Sequence, residues 1–211
     1  MEKKLRVELG KRSYDLLIGA GLLKRSGEIL LGYGFSGKVL VVTNPKVGGL
    51  YASDLIGGLK RSGFETTLVM IPDGEEYKTL SQVERIYEAA AALKMERESL
   101  LIALGGGVIG DTAGFAAATY LRGVRFIQVP TTLLAQVDSS LGGKVAVNRP
   151  EGKNLVGSFY QPSLVLSDLL TLDTLEEREF RAGMAEALKA GLIRKTDLFR
   201  YLVDRAPEIK E

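Results

Sequence analysis

Residues 100–134 read LLIALGGGVIGDTAGFAAATYLRGVRFIQVPTTLL, and the succession of textures along them decides the fold. Leu100 to Leu104 is an unbroken apolar run, as expected of a strand covered on both faces. Gly105, Gly106 and Gly107 follow at once, and a helix rich in small residues is expected over Gly110 to Tyr120. Arg125 to Val129 then has the composition of another strand. Strand, tight turn, helix and strand in that order is the repeating unit of a parallel sheet.

The alternation extends outward in both directions. Lys38 to Thr43 (KVLVVT) is a β-branched run, and Val47 to Arg61 carries Leu50, Leu55, Ile56 and Leu59 at near-helical spacing. Phe64 to Ile71 (FETTLVMI) is the next expected strand. Thr79 and Ser81 stand three residues before Gln82 and Glu84, the pattern of a capped helix start, and that helix is expected to reach about Leu93. Leu5 to Ile18 predicts a hairpin that adds an antiparallel edge. After about Thr174 the pattern changes: Leu175 to Ile193 and Thr196 to Leu202 are expected helices, with no further strand. The fold class is therefore α/β, a Rossmann-like parallel sheet with helices on both faces and an N-terminal antiparallel edge, followed by the start of an all-helical domain. Residues 1–170 are assigned to the α/β domain and 171–211 to the beginning of the helical one.

Composition narrows the function classes. The 211 residues are 45% hydrophobic and 26% charged, as in soluble globular proteins. A net charge of +2, with both signs interleaved, argues against a nucleic-acid partner. No window approaches the roughly 20 apolar residues of a membrane span, and the start, MEKKLRVEL, lacks the apolar core of a signal peptide. The absence of cysteine excludes disulfides and fits a cytoplasmic location. Histidine is absent too, which removes the usual acid–base residue and the usual nitrogen ligand for metals.

Several loops suit anionic ligands. Gly105 to Asp111 follows a buried strand and opens a helix, so its backbone N–H groups can approach a pyrophosphate in the favourable field of a helix start. The spacing is not GxGxxG, and an isolated run of three glycines would more simply be a tight turn. The strand before, the helix after and Asp111 at its start favour a nucleotide. Asp73 to Lys78 (DGEEYK) occupies a strand-to-helix loop of the kind that lines ligand crevices, where Glu75 and Lys78 can meet a ribose or a phosphate; a solvated loop fits equally well. Thr131 and Thr132 can cap a helix or donate hydroxyls to a cofactor. Asp138, at the far end of that short helix, is poorly placed for the helix dipole and needs a partner. Lys144 after Gly142-Gly143, and Lys153 with Asn154 after Gly152, resemble anion-binding turns. Glu186 and Lys189 share a helix face amid small apolar neighbours, so either a surface ion pair or one ligand of a metal is in view. A zinc site needs about four ligands including water, and the chain offers no nitrogen or sulfur ligand to complete one.

With these residues in hand, the sequence resembles the 3-dehydroquinate synthases of the sugar-phosphate cyclase family. The matching stretches are DGEEYK at 73–78, GGGVIGDTAGFAAATYLRG at 105–123, PTTLLAQVDSSLGGKVAVN at 130–148, GKNLVGSFYQP at 152–162, and TLEERE with GMAEALKAGLI within 174–193. Arg149, Val145 and Ala190 depart from residues common in the family, which bears on substrate detail. The resemblance implies NAD-dependent conversion of the seven-carbon keto-acid sugar phosphate 3-deoxy-arabino-heptulosonate 7-phosphate to 3-dehydroquinate with release of phosphate, in the shikimate route to aromatic amino acids. It implies cofactor contacts from Asn44; from Asp73, Gly74, Glu75, Glu76, Tyr77 and Lys78; from Gly106, Gly107, Val108, Ile109, Gly110 and Asp111; and from Thr131, Thr132, Lys144 and Lys153. The turn Thr171, Leu172, Asp173 and Thr174 would complete them. Substrate would meet Asp138, Lys144, Asn154 and Lys189, with Arg122 reaching its phosphate across a homodimer interface. Glu186 would be the first ligand of a zinc or cobalt ion whose other two ligands, histidines, lie in the C-terminal helical domain. The expectation is thus an N-terminal part of a longer chain, with an incomplete metal site and no turnover alone. The alternatives are another sugar-phosphate cyclase, a metal-dependent polyol dehydrogenase, or a nucleotide-sensing domain without activity.

Overall fold

Continuously apolar runs become interior strands here and amphipathic stretches become the helices that cover them. The computed structural model describes residues 2–210. In chain order these form β1 (Lys3–Val7), β2 (Tyr14–Gly19), α1 (Ser26–Gly32), β3 (Lys38–Thr43), α2 (Pro45–Val47), a π turn (Gly48–Ala52), α3 (Ser53–Arg61) and β4 (Glu65–Met70). Then come α4 (Leu80–Ala92), β5 (Leu100–Gly105), α5 (Gly107–Thr119), β6 (Arg125–Pro130), β7 (Lys144–Arg149), β8 (Gly152–Phe159), β9 (Leu164–Asp168), α6 (Glu177–Arg194) and α7 (Thr196–Asp204). Seven strands make one sheet in the order β1-β2-β9-β6-β5-β3-β4, antiparallel only between β1 and β2.

β5 shows why its sequence is apolar throughout. Successive side chains of a strand point to opposite faces. Leu101 and Ala103 pack with Val83, Ile86, Ile109 and Ala113 of α4 and α5. Leu100, Ile102 and Leu104 pack with Leu30, Leu55 and Leu59 of α1 and α3 on the other face. The chain runs from β3 outward to β4, then returns past β3 to lay down β5 and β6 on the opposite side. The crevice between β3 and β5 is therefore the switch point of the sheet, where open α/β folds bind ligands at the carboxyl ends of the strands.

Four features differ from the sequence expectations. α5 begins at Gly107 rather than Gly110, because Gly105 ends β5, Gly106 is the N-cap and Gly107 already opens the first turn. Thr79 does stand at the start of α4, but its hydroxyl pairs with Ser81 at 2.8 Å and makes no cap. Residues 144–159, expected as two anion-binding turns, form the antiparallel hairpin β7–β8 packed over α5; a Cβ on Gly114 would lie 2.3 Å from Val145. Finally, β9 was unforeseen, and it joins the N-terminal hairpin to the rest by pairing in parallel with both β2 and β6. Among the described residues no strand follows Asp168, and α6 crosses Leu133 and Leu134 at Gly183, where a Cβ would come within 2.6 Å of both. Among the described residues no helix is long and apolar enough to cross a membrane.

The N-terminal edge is pinned by Asp15, which is buried at 3% exposure. Lys4 Nζ lies 2.6 Å away, Arg6 donates at 2.9 Å and the Tyr33 hydroxyl at 2.8 Å. Burial opposes ionisation of this carboxyl, but the three hydrogen bonds outweigh it and lower its pKa from 3.8 to about 2. A depressed carboxyl pKa stabilises the fold above the unfolded-state value, and the gain disappears as pH falls through the folded one. Asp15→Asn should therefore cost about 2 kcal/mol near pH ~7 and much less near pH ~2.5, read from urea unfolding at both. A gap between the two proteins that ignores pH would refute this account.

Candidate cofactor and substrate clefts

A cleft of about 830 Å³ opens at the carboxyl ends of β3, β5 and β6, within the usual range for small-molecule sites. At the β3 end, Asn44 accepts a hydrogen bond from the Val47 N–H at 2.8 Å, capping α2. Its amide donates to Asp73 at 2.8 Å, so the loops after β3 and β4 are tied together. In the middle lies the start of α5. Gly106 stands at its N-cap without a side chain to satisfy the first N–H groups, which leaves them for a ligand. The backbone is closely flanked there: a Cβ on Gly106 would lie 3.2 Å from Thr132 Cγ2, and one on Gly107 3.2 Å from Ser139 Oγ.

At the β6 end the two threonines divide their work. Thr132 Oγ1 accepts the Ala135 N–H at 3.2 Å and so caps the helical turn, as the sequence allowed. Thr131 lines the cleft with a buried hydroxyl that has no hydrogen-bond partner. An unpaired buried hydroxyl is costly, and its place in this wall fits a ligand that supplies the missing partner. Gln136, which sequence reasoning missed, donates to the carbonyls of Pro130 and Asp168 and to Thr171 Oγ1, holding the β6 and β9 ends to the turn at 171.

The loop at 73–78 closes the remaining side. Lys78 is buried at 4% exposure; its ammonium donates to Asp111 and, at 2.6 Å, to Asn154 Oδ1. Burial pushes the Asp111 carboxyl above its usual range, against the pull of Lys78. Asn148, also missed, bonds to Glu75, Lys78 and Asn154 at once. It lies within a motif quoted above, but no spacing distinguishes it from its neighbours. Lys153 approaches Glu75 to 3.8 Å.

A second cleft, of about 480 Å³, lies beside the first. Asp138, Lys144 and Ser139 line it, and Asp111 and Asn154 belong to the walls of both. On α6, Lys189 donates to Glu186 at 2.5 Å, and its pKa is raised chiefly by Glu186 with a weaker pull from Asp138.

The remaining candidates divide between the first cleft and other places. Val108 and Ile109 line the first cleft, as do Gly74, Thr171 and Thr174. Glu76, Tyr77 and Gly110 do not; Gly110 faces Gln128, whose Oε1 would lie 2.8 Å from an added Cβ. Leu172 and Asp173 line an apolar groove along α6 and α7 instead. Lys144, named for both cofactor and substrate, borders only the second cleft. Arg122 lies past the far end of α5, which its 13 residues set about 20 Å from the glycine turn. Leu121 and Arg122 both have positive φ, 51° and 65°, a strained conformation for side-chain-bearing residues. Among the described residues no group of three or more His, Cys, Asp or Glu is placed to hold a metal, so Glu186 alone does not make a metal site.

Residues 68–182 match the family model of the 3-dehydroquinate synthase N-terminal region. A 3-dehydroquinate synthase of a Picosynechococcus species is 52% identical over 202 residues, which is 96% of this chain and 55% of that protein. The chain belongs to the 3-dehydroquinate synthase family. It spans about half the length of the curated relatives it matches. Among solved structures, 2-epi-5-epi-valiolone synthase from Streptomyces hygroscopicus, with NAD+ and Zn2+ bound, superposes with a TM-score of 0.86 at 32% identity, covering 96% of this chain and 56% of that one. A 2-deoxy-scyllo-inosose synthase complexed with carbaglucose-6-phosphate, NAD+ and Co2+ gives 0.81 at 35% identity, covering 90% and 52%.

Within this member of the 3-dehydroquinate synthase family, removing one partner of the buried Lys78–Asp111 pair leaves the other charge stranded. Lys78→Met should destabilise the protein by about 3 kcal/mol, and adding Asp111→Asn should recover most of that. Chemical denaturation of the two variants decides it; equal midpoints for Lys78→Met and wild type would show the pair to be inconsequential.

Proposed function

We propose that this chain carries the cofactor-binding part and half the substrate site of a 3-dehydroquinate synthase. The observation that carries the reading is the shared wall of the two clefts, Asp111 and Asn154, with a glycine-rich helix start and an unpartnered Thr131 hydroxyl on the cofactor side. NAD+ in the first cleft would extend from Asn44 and Asp73 across the α5 start to Thr131. A sugar phosphate in the second would meet Lys144, Asn154 and Asp138. Bound side by side, the nicotinamide supplies reversible hydride transfer at a substrate carbon, and a divalent zinc or cobalt ion supplies charge stabilisation at the oxygen.

The chain's own residues position and neutralise. Lys144 offers an ammonium to the substrate's anionic groups, and Asn154 an amide to its hydroxyls. Asp138 accepts from a hydroxyl, and Lys189, held protonated by Glu186, adds a second cation. Glu186 would offer such an ion one carboxylate. Arg122 lines neither cleft of its own chain, and in this reading it meets the substrate phosphate of a second copy, in a homodimer. We read residues 1–170 as the cofactor unit and 171–211 as the beginning of the helical one, in a cytoplasmic enzyme, as the cysteine-free composition suits.

The heptulosonate phosphate is preferred as substrate because relatives at about half identity over nearly the whole chain carry that synthase name, whereas the inosose and valiolone synthases are 35% and 32% identical. The whole protein, given NAD+ and a divalent metal, should release phosphate from 3-deoxy-arabino-heptulosonate 7-phosphate without net build-up of NADH. Accumulating NADH would mark a dehydrogenase, and turnover only of a sugar phosphate lacking the carboxylate would mark another cyclase. Thr131→Val separates binding from folding. It should raise stability by about 1 kcal/mol, by deleting an unsatisfied hydroxyl, yet weaken NAD+ binding about tenfold. Thermal melts and nucleotide titration measure the two; a variant that binds NAD+ as tightly as wild type would remove Thr131 from the cofactor site.

A further inference from the structure

We propose that Asn148 is a positioning residue that locks the cofactor loop and the substrate hairpin into one unit, an inference that rests on the two-cleft reading above. Asn148 lines neither cleft. It acts through residues that do. Its side-chain amide donates to Glu75 Oε1 at 2.8 Å and to the Glu75 carbonyl at 3.3 Å. Its side-chain carbonyl accepts the Asn154 N–H at 2.9 Å. Its backbone N–H donates to the Lys78 carbonyl at 2.7 Å. An asparagine amide presents donors at one end and an acceptor at the other, and here both ends are used, one for each structure.

The backbone explains why Asn148 reaches so far. Val147 pairs with Val156 and Arg149 with Gly152, so Lys153, Asn154 and Leu155 of β8 stand opposite Asn148 alone. Such a bulge interrupts the ladder and re-aims side chains. The excess chain is absorbed at Asn154, whose φ is 57°, a left-handed conformation that asparagine tolerates better than most residues. Two hydrogen bonds hold it there: its N–H to Asn148, and its side-chain carbonyl to the buried Lys78 ammonium. Glu75, meanwhile, is held by Asn148 on one side and lies 3.8 Å from Lys153 on the other. Loss of the Asn148 amide therefore frees a carboxylate of the cofactor cleft and the bulged residue of the substrate wall together.

The bridge to Glu75 is directional, which gives a test that a merely structural asparagine would not answer. Asn148→Asp keeps the size and the acceptor facing Asn154 but sets a carboxylate against the Glu75 carboxylate. NAD+ binding to the purified protein should weaken by about tenfold or more, a coupling typical of residues in direct contact. Adding Glu75→Gln restores a donor–acceptor pair in the reverse sense, so the double variant should bind NAD+ within about threefold of Glu75→Gln alone. Should Asn148→Asp not fold, Asn148→Ser, which shortens the bridge without adding charge, provides the single variant, and its loss should not be rescued by Glu75→Gln. Circular dichroism and thermal melts establish folding in each case. A wild-type protein that does not bind NAD+ overturns the cofactor reading, and this inference with it. A wild type that binds NAD+ together with an Asn148→Asp variant of equal affinity, or a double variant no better than the product of the single losses, overturns the role of Asn148 alone.

Discussion

The ammonium of Lys78 is almost sealed from water, and a buried charge is tolerable only when it is matched and hydrogen-bonded. Its two partners come from different elements: Asp111 from the first turns of α5, Asn154 from the bulge in β8. One cation thus fixes the distance between the glycine turn, the loop after β4 and the hairpin that covers α5. Move any of the three and a charge is left unpaired in the interior. The shared wall of the two clefts consists of those same partners, so the requirement to neutralise Lys78 is also what keeps the clefts adjacent.

The scaffold was legible where periodicity is strong. β5 reads as buried because both of its faces are, while α3 follows from apolar spacing, α4 from its cap pattern and α5 from its small residues. The elements that escaped are those whose local signals are weak or compete with others. β9 is five residues with serine and aspartate at its end, and only its neighbours β2 and β6 make it a strand. Each strand of the hairpin over α5 starts at a glycine-lysine pair, which carries an anion-binding signal as strong as its strand signal. α5 itself has almost no polar face because it is pressed between the sheet and that hairpin; Gly110 and Gly114 leave room for Gln128 and Val145.

The candidate site was legible one loop at a time. Glycines at a helix start, threonines after a strand and lysines after glycine each carry a local physical reason, and the structure gathers most of them around two neighbouring clefts. What the sequence could not supply was the connecting layer. Gln136 and Asn148 touch several loops through amide groups, and their importance is created entirely by the tertiary arrangement. Arg122 is the opposite case: its motif marks it, while it lines neither cleft of its own chain.

The late arrival of β9 has a consequence for how the chain becomes a protein. β2 is synthesised near the beginning, yet its parallel partner is made almost 150 residues later; Asp168 accepts the Gly21 N–H across a separation of 147 residues. Until Leu164–Asp168 emerges, β2 and β6 both present open edges, and the N-terminal hairpin has no sheet to join. Assembly must therefore close a very large loop, the circumstance in which folding is slow and exposed strands meet the wrong partners. The exposed charges of β1, with Lys3, Lys4 and Arg6 among its five residues, suit a segment that spends that interval waiting.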